Sequence, residues 1–197
     1  MLLKNKWGKI EFLNEDEEVN KLSFVDYIPI IFTLIVITAQ IVLTFVLWDN
    51  YYDIDVLVYI GYGFWVLSAI FGVLPIFTFR RKGGVEKGDS YIKTTTLVNT
   101  GLYGIVRHPQ FLSGILISIA LALMSQYWVI IILLIIPITC TFIDTIKMEK
   151  RLVIKFGEEY INYQRQVPRL YPLFGLLKLI IRKIRQRKER KRNGPDQ

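Results

Sequence analysis

The chain has 197 residues, a net charge of +8 and a hydrophobic share of 52%, above the roughly 45–50% usual for soluble domains. All 25 lysines and arginines fall within 1–26, 80–109 and 147–197, so 27–79 and 110–146 are long apolar stretches with no basic residue. Such stretches are membrane spans, which excludes a soluble enzyme, a secreted domain and a disordered chain. One cysteine, Cys140, and one histidine, His108, leave neither a disulfide framework nor a Cys- or His-built metal site, and no metal is expected.

Residues 1–26 mix charges of both signs and lack the basic-then-apolar start of a cleaved signal peptide. They read as a cytoplasmic N-terminal segment. The first span is expected over about 28–48, interrupted only by Pro29, Gln40 and threonines. An acidic, aromatic connection follows, Asp49 to Asp55. The second span is expected over about 56–79, with Pro75 as a kink near its end and Arg80-Arg81-Lys82 as its stop. The Gly61-Tyr62-Gly63 triplet inside it reads as helix packing, because no strand precedes it to make a phosphate loop.

Residues 110–146 are too many for one crossing and break near Ser125-Gln126, which predicts a helical hairpin with arms at 109–125 and 127–146. Tyr127 and Trp128 fall at its turn as interfacial anchors. The fold expected is therefore an all-α integral membrane protein with about four transmembrane helices. Both outer turns lack Lys and Arg, so the positive-inside rule puts both termini and the 80–109 loop in the cytoplasm.

Beyond Lys147 the helical pattern continues. Leu152, Val153, Phe156, Tyr160 and Tyr163 recur at spacings of three and four as one apolar stripe. Extended backwards, that stripe takes in Glu149, Met148 and Asp144, which are expected to face protein. Tyr171 to Ile181 is apolar but only 11 residues long, so it is expected to lie on the surface as an amphipathic helix. Arg182 to Arg192 carries eight basic residues and one acid, a patch for anionic lipid rather than nucleic acid. The membrane domain is thus assigned to 27–172 and a basic membrane-surface tail to 173–197.

The chemistry concentrates in the loop before the hairpin, Thr95-Thr96-Leu97-Val98-Asn99-Thr100-Gly101-Leu102-Tyr103-Gly104-Ile105-Val106-Arg107-His108-Pro109-Gln110-Phe111. Gly101 and Gly104 permit close backbone approach to a ligand. Pro109 suits the first helical turn, whose free N–H groups favour an anion. Arg107 adds a fixed forked donor and His108 a second polar group at the same depth. Together they describe a pocket at the cytoplasmic interface for a zwitterionic or anionic small molecule.

This segment resembles the cofactor motif of the isoprenylcysteine carboxyl methyltransferase family, integral membrane enzymes that use S-adenosylmethionine and have relatives that N-methylate phospholipids. A second block, Met148-Glu149-Lys150-Arg151-Leu152 with Phe156-Gly157-Glu158-Glu159-Tyr160, Tyr163 and Val167-Pro168-Arg169, resembles the family's C-terminal signature. The resemblance covers roughly 90–172. It implies that Thr95, Thr96, Leu97, Val98, Tyr103, and His108 through Phe111 (Pro109 and Gln110 between them) line the S-adenosylmethionine site, completed by an acid at Met148-Glu149. It also implies that Tyr103 and Tyr163 pack on adenine or the sulfonium. The chain departs from the family in having Phe111 for a usual tyrosine, Met148 for the first of two glutamates, and Asp144 near the place of a usual arginine.

The function expected is methyl transfer from S-adenosylmethionine to a lipophilic small molecule or lipidated peptide entering from the bilayer. The acceptor read first is an isoprenylcysteine-type carboxylate, with Glu149 and Asp144 as the catalytic acids. The alternatives are a phospholipid ethanolamine N-methyltransferase, a sterol-type reductase using NADPH, and a non-catalytic membrane anchor that keeps a decayed motif.

Overall fold

The computed structural model describes residues 24–47, 54–84 and 95–192. Most of the N-terminal segment and of the acidic outer connection, both assigned from sequence, lie outside them. The described residues form helices and no strands: α1 (Phe24–Val46), α2 (Asp55–Lys82), a 3-10 turn (Gly101–Gly104), α3 (Pro109–Ser125), α4 (Trp128–Leu133), α5 (Ile135–Gln166) and α6 (Pro172–Arg192). This is an all-α membrane protein.

Three helical stretches are long and apolar enough to cross a bilayer: Tyr27–Val46, Asp55–Lys82 and Trp128–Gln166. The fourth expected span, α3, has 17 residues, the lower end of the range for a crossing, with a length of about 25 Å. α2 does not stop at residue 79 but carries its basic residues Arg80, Arg81 and Lys82 in its last turn, where cations suit the negative end of the helix dipole. Pro75 stays buried inside that continuous helix. The hairpin's second arm runs within one helical stretch, Trp128–Gln166, and at Leu134, between α4 and α5, the backbone stays helical while its hydrogen bonding loosens locally. Pro137 has no N–H to offer the Leu133 carbonyl, which explains the loosening there.

Small residues bring α2 and α3 together. A Cβ on Gly61 would lie 2.6 Å from Met124 Cγ, and one on Gly72 would lie 3.2 Å from Ser113 Oγ. Between them Ser68 Oγ donates to the Ser113 carbonyl at 2.9 Å. Gly63 meets nothing within 4 Å, so only the first glycine of Gly61-Tyr62-Gly63 serves packing. α1 packs against α3, α4 and α5. Its fully buried Gln40 donates through Nε2 to the Ile130 carbonyl at 3.2 Å and accepts from Ser118 Oγ. With no water in the bilayer core, that amide must find protein partners, and its two bonds fix α1 against both hairpin arms.

The hairpin turn is made by Gln126, a C-cap with φ 52°. Its side chain accepts from Ile54 N–H at 3.2 Å and donates to the Ile54 carbonyl at 3.0 Å. The start of α2 and the hairpin tip therefore share one end of the bundle, and the 95–108 loop lies at the other. In a Cys140→Ser background, cysteines replacing Asp55 and Trp128 are expected to react with an impermeant maleimide from one face of the membrane and a cysteine replacing Asn99 from the opposite face. Labelling of positions 55 and 99 from the same face would overturn the arrangement.

Candidate functional site

The loop before α3 is stitched to the connection after α5 by two backbone hydrogen bonds. Arg107 N–H donates to the Pro168 carbonyl at 3.0 Å, and His108 N–H donates to the Arg169 carbonyl at 3.3 Å. Around this seam Val106 and Leu170 are buried with Phe71, Leu112 and Leu116 from α2 and α3. The apolar contacts hold the seam against the bundle, so the side chains of 107, 108 and 169 have fixed starting points.

All three converge on Glu149. Arg107 Nη2 lies 2.6 Å from Glu149 Oε1, His108 Nε2 lies 3.3 Å from the same oxygen, and Arg169 Nη2 lies 2.5 Å from Oε2. Glu149 is only 5% exposed, and a carboxylate taken from water at that depth persists only if paired and hydrogen-bonded. Arg107 also donates through Nη1 to the Gln164 and Val167 carbonyls at 2.7 and 2.9 Å. Those carbonyls belong to the end of α5, where the helix has no N–H of its own to offer. One guanidinium thus closes a helix end and neutralises a buried acid.

Burial lowers the His108 pKa below the ordinary 6.5, against the opposing pull of Glu149. The imidazole is therefore neutral near pH 7. Facing a carboxylate through Nε2, it donates there, which leaves the Nδ1 lone pair as an acceptor. The hydrogen bond that Arg169 itself makes to Glu149 raises the pKa of Arg169. Two arginines, one carboxylate and a neutral imidazole leave a surplus positive charge. Arg107 Nε, Arg169 Nε and the Tyr160 hydroxyl are buried donors with no hydrogen-bond partner among the described residues.

The tyrosines form the wall beside this cluster. Tyr160, Tyr163 and Val167 are buried together, with Leu97, Leu152, Val153 and Phe156 packed against them. Tyr163 donates its hydroxyl to the Tyr103 carbonyl at 2.7 Å, and Tyr103 sits edge-on to Phe79 with ring centroids 4.9 Å apart. Gly157 makes this wall possible. Its φ of 54° and ψ of −132° interrupt α5, a backbone conformation that a residue with a Cβ adopts only under strain.

Of the loop residues singled out from sequence, Val98, Tyr103, Gly104, His108 and Pro109 are buried, Leu97, Arg107 and Phe111 are half-buried, and Thr95, Thr96, Gly101 and Gln110 are exposed. Thr95 bonds the Gly84 carbonyl at 3.3 Å, anchoring the loop to the end of α2. Gly101 has φ 66° and opens the 3-10 turn. Phe111 stacks edge-on against His108 at 5.9 Å. Asp144 is buried on α5, as expected.

Met148 is a correction. It is 37% exposed, because the buried positions of α5 run through Thr141, Asp144, Thr145 and Glu149, and 148 falls beside that line. Arg169, which pairs with Glu149 as closely as Arg107 does, was not singled out as a site residue. Its signal was present in Val167-Pro168-Arg169, the end of the second block.

A family model described as phospholipid methyltransferase matches residues 56–158, just over half of the 197-residue chain. The chain belongs to this family of integral membrane methyltransferases. No curated protein and no solved structure matches. The matched range takes in Arg107, His108 and Glu149, and ends before Arg169.

The lowered His108 pKa carries a pH consequence. The folded state binds its proton more weakly than the unfolded chain, so this contribution to stability is complete above about pH 6.5 and is lost as pH falls below it. The melting temperature in detergent is expected to drop between pH 7 and pH 5. His108→Gln, which removes the only histidine, should flatten that drop; an unchanged profile would show that another group titrates.

Proposed function

We propose that the protein transfers a methyl group from S-adenosylmethionine to a lipophilic acceptor that reaches the site from the bilayer. The observation that carries this is the Glu149 cluster, which joins the two motif blocks and holds surplus positive charge beside three orphaned donors. That donor set fits the α-carboxylate of the cofactor, since ionised acceptors make the strongest bonds to guanidinium groups. S-adenosylmethionine supplies a sulfonium methyl open to in-line attack.

The role of the chain's own residues is then positional. Both oxygens of Glu149 are engaged by Arg107, His108 and Arg169, so Glu149 acts as a positioning residue that holds the cations where a ligand finds them. His108 offers Nδ1 as an acceptor, and the buried wall of Tyr103, Tyr160 and Tyr163 excludes water from the reacting pair. Asp144 is a buried acid where the resemblance leads one to expect arginine. The cation that the resemblance supplies for a substrate carboxylate is therefore missing at 144, which favours an amine headgroup over an isoprenylcysteine carboxylate. A phospholipid amine is therefore the acceptor class we favour.

The apolar groove lined by Ile54, Leu57, Ile119, Leu123, Trp128 and Ile131 is not where this reaction would occur. It lies at the Gln126 end of α3, about 25 Å from the His108 end by helix length.

Calorimetry with S-adenosylhomocysteine in detergent tests the cofactor. Binding is expected, and His108→Ala and Arg169→Ala should each weaken it about tenfold or more, the value of one charge-assisted hydrogen bond. Absence of binding would leave the membrane anchor, and binding of NADPH instead would favour the reductase. Labelled methyl transfer to phosphatidylethanolamine, set against a prenylated cysteine, tests the acceptor. Methylation of the prenylcysteine alone would reverse the assignment made from Asp144.

A further inference from the structure

The α6 helix lies against the site loop on one face, and among the described residues its other face is exposed. Gly175 is the point of closest approach: a Cβ there would fall 1.8 Å from the Ile105 carbonyl oxygen. Only a glycine lets the helix lie so near the loop. Leu179 reaches Gly104, 3.4 Å from where its Cβ would be, and Arg182 donates to Gln166 Oε1 at 2.8 Å. These contacts, at spacings of three and four, define the inner face.

The outer face is apolar. Leu173 is 84% exposed, and Phe174, Leu177, Ile180, Ile181 and Ile184 are exposed with it. At 100° per residue these side chains fall within one arc over 173–184, bounded on one side by Lys183 and Arg187 and on the other by Lys178 and Arg185, and Lys188 ends the apolar arc one turn later. An apolar arc between two basic edges matches a bilayer surface, where the arc enters the acyl boundary and the edges meet headgroup phosphates.

We propose that α6, seated against the Gly101–Arg107 loop through Gly175, is an in-plane docking helix for an anionic lipid surface. The apolar arc alone would serve any bilayer. The paired basic edges select an anionic one, and the close Gly175–Ile105 approach holds the inner face of the helix on the site loop. The proposal does not depend on which cofactor the site takes.

The test uses the full chain with Cys140→Ser, reconstituted in nanodiscs of phosphatidylcholine alone or with phosphatidylglycerol. Single cysteines replacing Leu177 and Gln186 carry a polarity-sensitive fluorophore. In anionic discs, position 177 is expected to be blue-shifted and quenched by lipid-borne spin labels about fivefold more than 186, and the difference should shrink in neutral discs or high salt. Arg185→Glu with Arg187→Glu should abolish the lipid preference, leaving the protein folded by its melting curve. Equal quenching of 177 and 186 overturns the docking geometry. A position 177 equally buried in both lipids overturns the anionic preference. A blue shift at 177 that grows with protein concentration in neutral detergent would assign the face to a second copy of the chain and overturn the proposal.

Discussion

A carboxylate placed on a long membrane helix and cut off from water sets the terms for everything around it. Glu149 is buried on α5, and an unpaired charge there would cost several kcal/mol. It is stabilised by cations from two separate segments, Arg107 and Arg169, with a neutral imidazole between them. The loop before α3 and the connection after α5 must therefore meet at this point. Their backbones do so directly, through Arg107 to Pro168 and His108 to Arg169.

Several local features follow from that meeting. α5 ends where Arg107 can take its last carbonyls, Gln164 and Val167. The interruption at Gly157 turns the end of α5 so that Tyr160 and Tyr163 close on Leu97 and Tyr103 instead of continuing a straight helix. Gly175 removes the side chain that would otherwise keep α6 off the same loop. The two glycines act in different ways, one by backbone conformation and one by volume. Both serve the same junction.

Most of the helical architecture was legible because the bilayer writes it in charge: spans lack Lys and Arg, and the basic residues cluster at one end. Details that depend on backbone bookkeeping were harder to see. The locally loosened hydrogen bonding at Leu134 follows from the missing N–H of Pro137, whereas Pro75 leaves α2 continuous. The burial of Glu149 and Asp144 was readable from the apolar stripe, but Met148 was not. Spacings of four from Asp144 and to Leu152 seemed to include it, yet the buried line passes through Thr145 and Glu149. Arg169 was missed because it lies 20 residues from its partner, in a segment without periodic structure. Its signal lay in Val167-Pro168-Arg169 at the end of the second block, together with the need of a buried carboxylate for a donor on each oxygen.

That requirement also bears on how large the functional unit is. The family match spans 56–158 and takes in Glu149, Arg107 and His108, a set in which one acid meets one permanent cation. The second cation, Arg169, and the carbonyls of Gln164 and Val167 that orient Arg107 all lie beyond it. Without them Arg107 would lose two of its three bonded acceptors, and one oxygen of Glu149 would face apolar surroundings. The surplus positive charge arises only when the connection to α6, which carries Arg169, is counted. The positively charged face of the cluster is then a property of the chain through residue 169, and the helix that follows rests directly on the loop that delivers Arg107.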